Sequence, residues 1–117
     1  MKLLDLRKLL LKIHEQKNFN ANFSLEFECN IETEDPNPLV KVINYIINYL
    51  TPITSNAIEI SLNQQMGIIV LNFSVFSEQI EFPEVSTQLN DVLKQYNATL
   101  KTKGQPGEYF QFLITFG

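Results

Sequence analysis

The sequence predicts an α/β protein of the α+β kind: a two-layer sandwich whose mixed, mostly antiparallel five-stranded sheet carries three helices on one face. Three observations lead there. The spacing of apolar residues switches between a helical period and a period of two along the chain. Apolar residues make up 44% of the 117, nine of them Phe, enough to build a real core. Turn-forming clusters separate the periodic segments, and a chain of this length has room for one domain, residues 1–117.

The first element is an amphipathic helix over residues 3–17. Leu3, Leu6, Leu10 and Ile13 recur at helical spacing, flanked by Arg7, Lys8, Lys12 and Glu15. Leu4, Leu9 and Leu11 widen its apolar side beyond one contact face, which makes this helix the expected surface for a homodimer or a protein partner. The Asn-rich stretch Asn18 to Asn22 reads as a turn. From Phe23 to Asn30 the pattern alternates, with Phe23, Leu25, Phe27 and Cys29 inward and Ser24, Glu26, Glu28 and Asn30 outward, as in a half-buried strand.

Residues 32–38 break that strand. Asn37 is placed to cap a second helix with Pro38 as its first residue. Leu39, Val42, Ile43, Ile46, Ile47 and Leu50 form its apolar stripe, and Pro52 closes it. Ile58, Ile60 and Leu62 alternate in a second strand, followed by a hairpin turn at residues 64–67. Residues 68–76 are nearly all β-forming and read as a central strand. A third helix is expected over residues 84–96, with Val85, Leu89, Val92, Leu93 and Tyr96 inward. Two strands close the chain, residues 98–103 and 109–116, around the turn Gly104 to Gly107.

The bulk properties exclude several functions. A formal charge of −4 gives no electrostatic reason to approach nucleic acid or an anionic membrane. The apolar runs are too short to span a bilayer, and the first seventeen residues alternate charge with Leu, unlike a secretion signal. One cysteine allows no internal disulfide and no thiolate metal cluster. The expectation is a cytoplasmic protein without cofactor or metal.

The order helix, strand, helix, strand, strand, helix, strand, strand resembles the ATP-binding domain of sensor histidine kinases and their relatives of the GHKL, or Bergerat-fold, group. Residues 4–10 resemble the segment that opens such domains, and residues 23–27 their first strand. Asn44-Tyr45-Ile46-Ile47-Asn48 follows the family's Asn-Leu-Leu-x-Asn helix, and residues 97–100 and 107–116 resemble the two closing strands. Membership would imply the same fold and a place in bacterial two-component signalling. In the family, an Asp-x-Gly-x-Gly turn holds the adenine, a lid covers the phosphates, and a Gly-rich turn presents helix N-terminal amides to them. The corresponding residues 70–84 contain no Asp and no Gly, and no glycine occurs between Gly67 and Gly104. Ser, Val and Phe do not take the positive φ that close backbone approach to a nucleotide demands. The connector between residues 76 and 84 is also too short for a lid.

The resemblance makes Asn48 the position that binds magnesium in the family, with Asn44 one turn before it on the same helical face. Tyr49 stands where the family usually has Ala, so a phenol would take up vacated space. Without the surrounding glycines, Asn44 and Asn48 read as an exposed polar face rather than nucleotide ligands. His14, followed by Glu15, echoes a phospho-accepting histidine but lacks the rest of that motif and reads as a solvated surface residue. Glu26, Glu28, Glu32, Glu34 and Asp35 form an acidic patch without the central Gly of a calcium loop. Cys29 falls in the apolar register of its strand, as a core residue. The expected function is therefore a non-catalytic, histidine-kinase-like regulatory or protein-interaction module in signalling. The alternatives are a small-molecule or residual nucleotide binder using Asn44 and Asn48, and a phosphotransfer protein working through His14.

Overall fold

The computed structural model describes residues 2–117. Seven strands and three helices follow in the order β1 (Lys2–Asp5), α1 (Leu6–Lys17), β2 (Ala21–Leu25), β3 (Asn30–Thr33), α2 (Asn37–Leu50), β4 (Ile58–Gln65), β5 (Ile68–Phe76), α3 (Leu89–Leu93), β6 (Ala98–Gln105) and β7 (Tyr109–Phe116). Single 3₁₀ turns follow α2 and α3. Five strands form the main sheet in the order β2-β4-β5-β7-β6, in which only β2 and β4 run parallel. The predicted mixed, mostly antiparallel five-stranded sheet with three helices is thus present, beside a two-stranded sheet of β1 and β3.

Alternation dictates what the sheet buries. Ile58, Ile60 and Leu62 of β4, Ile69, Leu71, Phe73 and Val75 of β5, and Phe110, Phe112, Ile114 and Phe116 of β7 all turn inward. They meet Leu6, Leu10 and Ile13 of α1, the apolar stripe of α2, and Leu89 and Leu93 of α3 in one contiguous core. The register stacks Ile60, Phe73 and Phe112 side by side across three strands, each essentially inaccessible to water. Burying a large apolar side chain of this kind is worth about 1.5–3 kcal/mol.

Several local readings of the sequence are corrected. The first helix starts at Leu6, not residue 3, because the Asp5 carboxylate accepts from the Lys8 amide at 3.2 Å and caps it there. Residues 2–5 instead pair with β3, a strand the sequence did not reveal. The predicted strand over residues 23–30 is two strands of different sheets, because the backbone of Glu28 takes a left-handed turn with φ 62°. Phe27, expected inward, is consequently 75% exposed and lies under the Arg7 guanidinium at 4.4 Å.

At α2, helix begins with Asn37 itself: Pro36 is the cap and the Asp35 carboxylate accepts from the Asn37 amide at 3.0 Å. The third helix is a short one, Leu89–Leu93, with a 3₁₀ turn to Tyr96. Residues 84–88 belong to a connector that runs from Ser77 to Gln88 and forms neither helix nor strand. It is longer than the sequence suggested.

Candidate functional site

The region that would face a nucleotide in the resembled domains is bounded by α2, the end of β5 and the connector. On α2, Tyr45 and Tyr49 lie one turn apart and present their phenols to the connector. The Tyr49 hydroxyl donates to the Pro83 carbonyl at 2.5 Å. The Tyr45 hydroxyl accepts from the Ser86 amide at 2.9 Å. Two bonds four residues apart therefore tie the middle of the connector to one face of the helix.

Beneath this strap the space is filled by rings. Tyr49 is buried, with its ring centroid 5.0 Å from Phe110 and 5.1 Å from Phe112. Phe82, carried by the connector, meets Phe110 edge-on at 4.8 Å. Such aromatic pairs add about 0.5–1.5 kcal/mol each beyond the area they bury. Gly104 on β6 makes room for them: a Cβ there would come within 2.8 Å of the Phe110 ring and 3.2 Å of Phe82.

Both ends of the connector are fastened too. At its start, the buried Ser77 hydroxyl donates to the Ile53 carbonyl at 2.6 Å, and the Ser77 amide donates to the Glu108 carbonyl at 3.0 Å. The Gly107 amide then donates to the Gln79 carbonyl at 2.7 Å. Beyond its far end, Tyr96 bridges two segments, donating to the Asp35 carbonyl at 2.7 Å while accepting from the Leu39 amide at 3.0 Å. That bridge fixes the first turn of α2.

Burial raises the pKa of Tyr49, and the neighbouring Tyr45 adds to the effect. Burial also raises that of Tyr96, with Asp35 adding to it and the hydrogen bond from Leu39 partly offsetting it. Both phenols are thus held in the neutral form that can donate.

The residues singled out from the sequence are placed as follows. Asn48 is exposed. Asn44 lines a shallow cleft of about 230 Å³ with Ile13, Gln16 and Lys17 of α1 and with Val40, away from the connector. His14 is not a free surface residue. It is partly buried between Phe19 and Phe23, each with its ring centroid 5.0 Å away, and its Nε2 lies 2.8 Å from the Phe19 carbonyl. A carbonyl can only accept, so Nε2 carries the proton.

Cys29 is fully buried as expected, and desolvation raises its pKa, with Glu26 and Asp5 adding to the effect. The acidic residues after β2 do not converge: Glu26 accepts from the Gln64 amide at 2.8 Å, and Asp35 accepts from the Asn37 amide at the start of α2. No set of three or more His, Cys, Asp or Glu side chains among the described residues could hold a metal. No helix among them is long and apolar enough to cross a membrane.

Tyr45, Phe82, Phe110 and Gly104 are the residues that sequence reasoning missed. Their signal was present in the spacing of two tyrosines at i and i+4 and in an aromatic residue lodged against Pro83. Neither reveals which segment the phenols reach.

No family model matches the sequence, and comparison with curated proteins finds no relative. Solved structures do match over nearly the full chain. The Acinetobacter baumannii histidine kinase AdeS superimposes with a TM-score of 0.72 at 14% identity, over 99% of this chain and 66% of that one. The mycobacterial sensor histidine kinase MprB gives 0.77 at 11% identity, over 98% and 95% of the two chains. The chain has the histidine kinase ATP-binding fold. A third structure, the histidine kinase ThkA in complex with the response regulator protein TrrA, matches at 0.66 and 14% identity, over 98% of this chain and 41% of that one. At such identities the likeness extends to the histidine kinase fold and not to the residues of the site.

Proposed function

We propose that this histidine-kinase-fold domain neither binds ATP nor transfers phosphate, and that it serves in the cytoplasm as a regulatory or protein-interaction module of a bacterial signalling system. One observation carries the reading. The segment that would have to stand off from α2 to admit a nucleotide is bonded to that helix through Tyr45 and Tyr49, with Phe82 packed on Phe110 beneath it. A magnesium nucleotide does not fit these residues. Asn44 faces α1, the segment has no glycine to approach phosphates, and its one aromatic residue, Phe82, packs on Phe110.

The alternatives draw less support. A residual nucleotide site built on Asn44 and Asn48 would need both to line one cavity; Asn44 lines the cleft against α1, and Asn48, though exposed, is not among the residues lining that cleft. Phosphotransfer through His14 would have to break its bond to Phe19 and its packing between two rings.

Titration with ATP and ADP in the presence of magnesium tests the proposal. A ligand at a hundred times its Kd stabilises a protein by about 2.7 kcal/mol, readily seen as a higher melting temperature. The expected outcome is no thermal shift and no calorimetric heat. Saturable binding lost in Asn48→Ala would overturn the reading.

A further inference from the structure

The strap leaves an exposed apolar surface at the end of β5, and we propose that this surface receives a basic, aliphatic segment of a partner protein. Phe76 is 68% exposed although it closes a central strand, and Ile80, on the connector, is 77% exposed. Beside Phe76 opens a cleft of about 490 Å³, lined by Phe76, Ser77, Glu78 and Gln79, by Gly107 and Glu108 of the β6–β7 turn, and by residues 52–56 after α2; Ile80 follows its lining residue Gln79 in sequence. A second hollow of about 280 Å³ adjoins it on the outer face of the sheet, where Phe76 and Glu108 are joined by Glu59 and Tyr109.

Two features choose the occupant. Large side chains this exposed at the mouth of a cleft are what a partner's anchors cover. Every charged residue that lines either hollow is a carboxylate (Glu59, Glu78 and Glu108), and no Lys or Arg lines them. None of these carboxylates belongs to an ion pair; Lys94–Asp91 is the ion pair among the described residues. An arginine-bearing segment would set its guanidinium between Glu78 and Glu108, over the face of Phe76, while its aliphatic residues cover Ile80. The floor is rigid, because Ser77, Gln79 and Gly107 are held by the backbone bonds that fasten the connector.

This inference deepens the reading of an interaction domain and rests on it. Nucleotide titration tests that reading; the following experiment tests the surface by itself. A fluorescein-labelled peptide of alternating arginine and leucine is titrated with the intact chain and followed by fluorescence anisotropy, with a glutamate–leucine peptide as control.

The expected result is saturable binding of the basic peptide only. Phe76→Ala and the pair Glu78→Lys with Glu108→Lys should each weaken it by about tenfold or more. Glu32→Lys with Glu34→Lys, in the acidic patch elsewhere, should leave it unchanged. All these side chains are exposed, so circular dichroism should show intact folding. No binding, binding indifferent to Phe76→Ala, or equal weakening by the two charge-reversed pairs would overturn the proposal. So would self-association in sedimentation that Arg7→Glu and Phe76→Ala both abolish, since the occupant would then be a second copy's first helix.

Discussion

The Tyr49 hydroxyl joins two parts of the chain that are 34 residues apart, and its ring fills the floor beneath them. Removing only the oxygen separates these roles. Tyr49→Phe keeps the ring and leaves the Pro83 carbonyl without its donor, so urea unfolding should show a loss of about 1 kcal/mol. Amide exchange should quicken in the connector more than in α2. The same hydroxyl gives stability a pH dependence. Tyr49 and Tyr96 both have folded pKa values raised above the ordinary 10.0. The unfolded chain therefore loses these protons first. Their contribution is whole below pH 10 and declines as pH rises through the ordinary tyrosine range toward the raised folded values. Urea midpoints measured on either side of pH 10 should fall less steeply in the double variant Tyr49→Phe, Tyr96→Phe than in the parent.

Among the elements, β6 shows how a strand can be shaped by what another segment lays against it. Gly104 sits near its end, opposite Phe110, and its missing side chain is the space that the Phe110 and Phe82 rings use. Gly104→Ala should push these rings apart and cost about 1–3 kcal/mol in chemical denaturation, the usual range for overpacking. Tryptic cleavage of the connector should accelerate in that variant if an arginine is introduced at the exposed Gln79. Helix α1 makes the opposite case, since its start is a local matter. Asp5 is a good cap, and an amide three residues on is all it needs.

At the scale of the whole molecule, one core joins the three helices to the sheet, so a defect at its centre should be felt everywhere. Phe73 lies on the central strand with Ile60 and Phe112 as its cross-strand neighbours. Phe73→Ala should lower the unfolding free energy by about 3–5 kcal/mol, with far-UV and near-UV circular dichroism still losing signal together. Separate transitions would show that the sheet and the helical layer unfold independently.

Strands β4, β5 and β7 and helix α2 were legible because each carries its period over eight or more residues, and the pattern alone decides which side is buried. Shorter elements were not. β1 and β3 have four residues each and exist because they pair with one another. Glu28 turns left-handed without being a glycine, which hid the break after β2. The third helix lost its first turn and more where Pro83 and Ser86 bond to α2 instead.

For the site, the sequence by itself determined that no glycine occurs from residue 68 to residue 103, which leaves that stretch without the residue that most readily takes positive φ. The family resemblance also set Tyr49 at a position where the family usually has Ala. Only the tertiary structure decided what stands there instead, with Phe82 and the tyrosine bonds closing the space and Phe76 left open beside Glu78 and Glu108. The physical reason is range. Periodicity and backbone freedom are properties of neighbours in sequence, whereas a phenol's partner 34 or 41 residues away is set by how the layers pack.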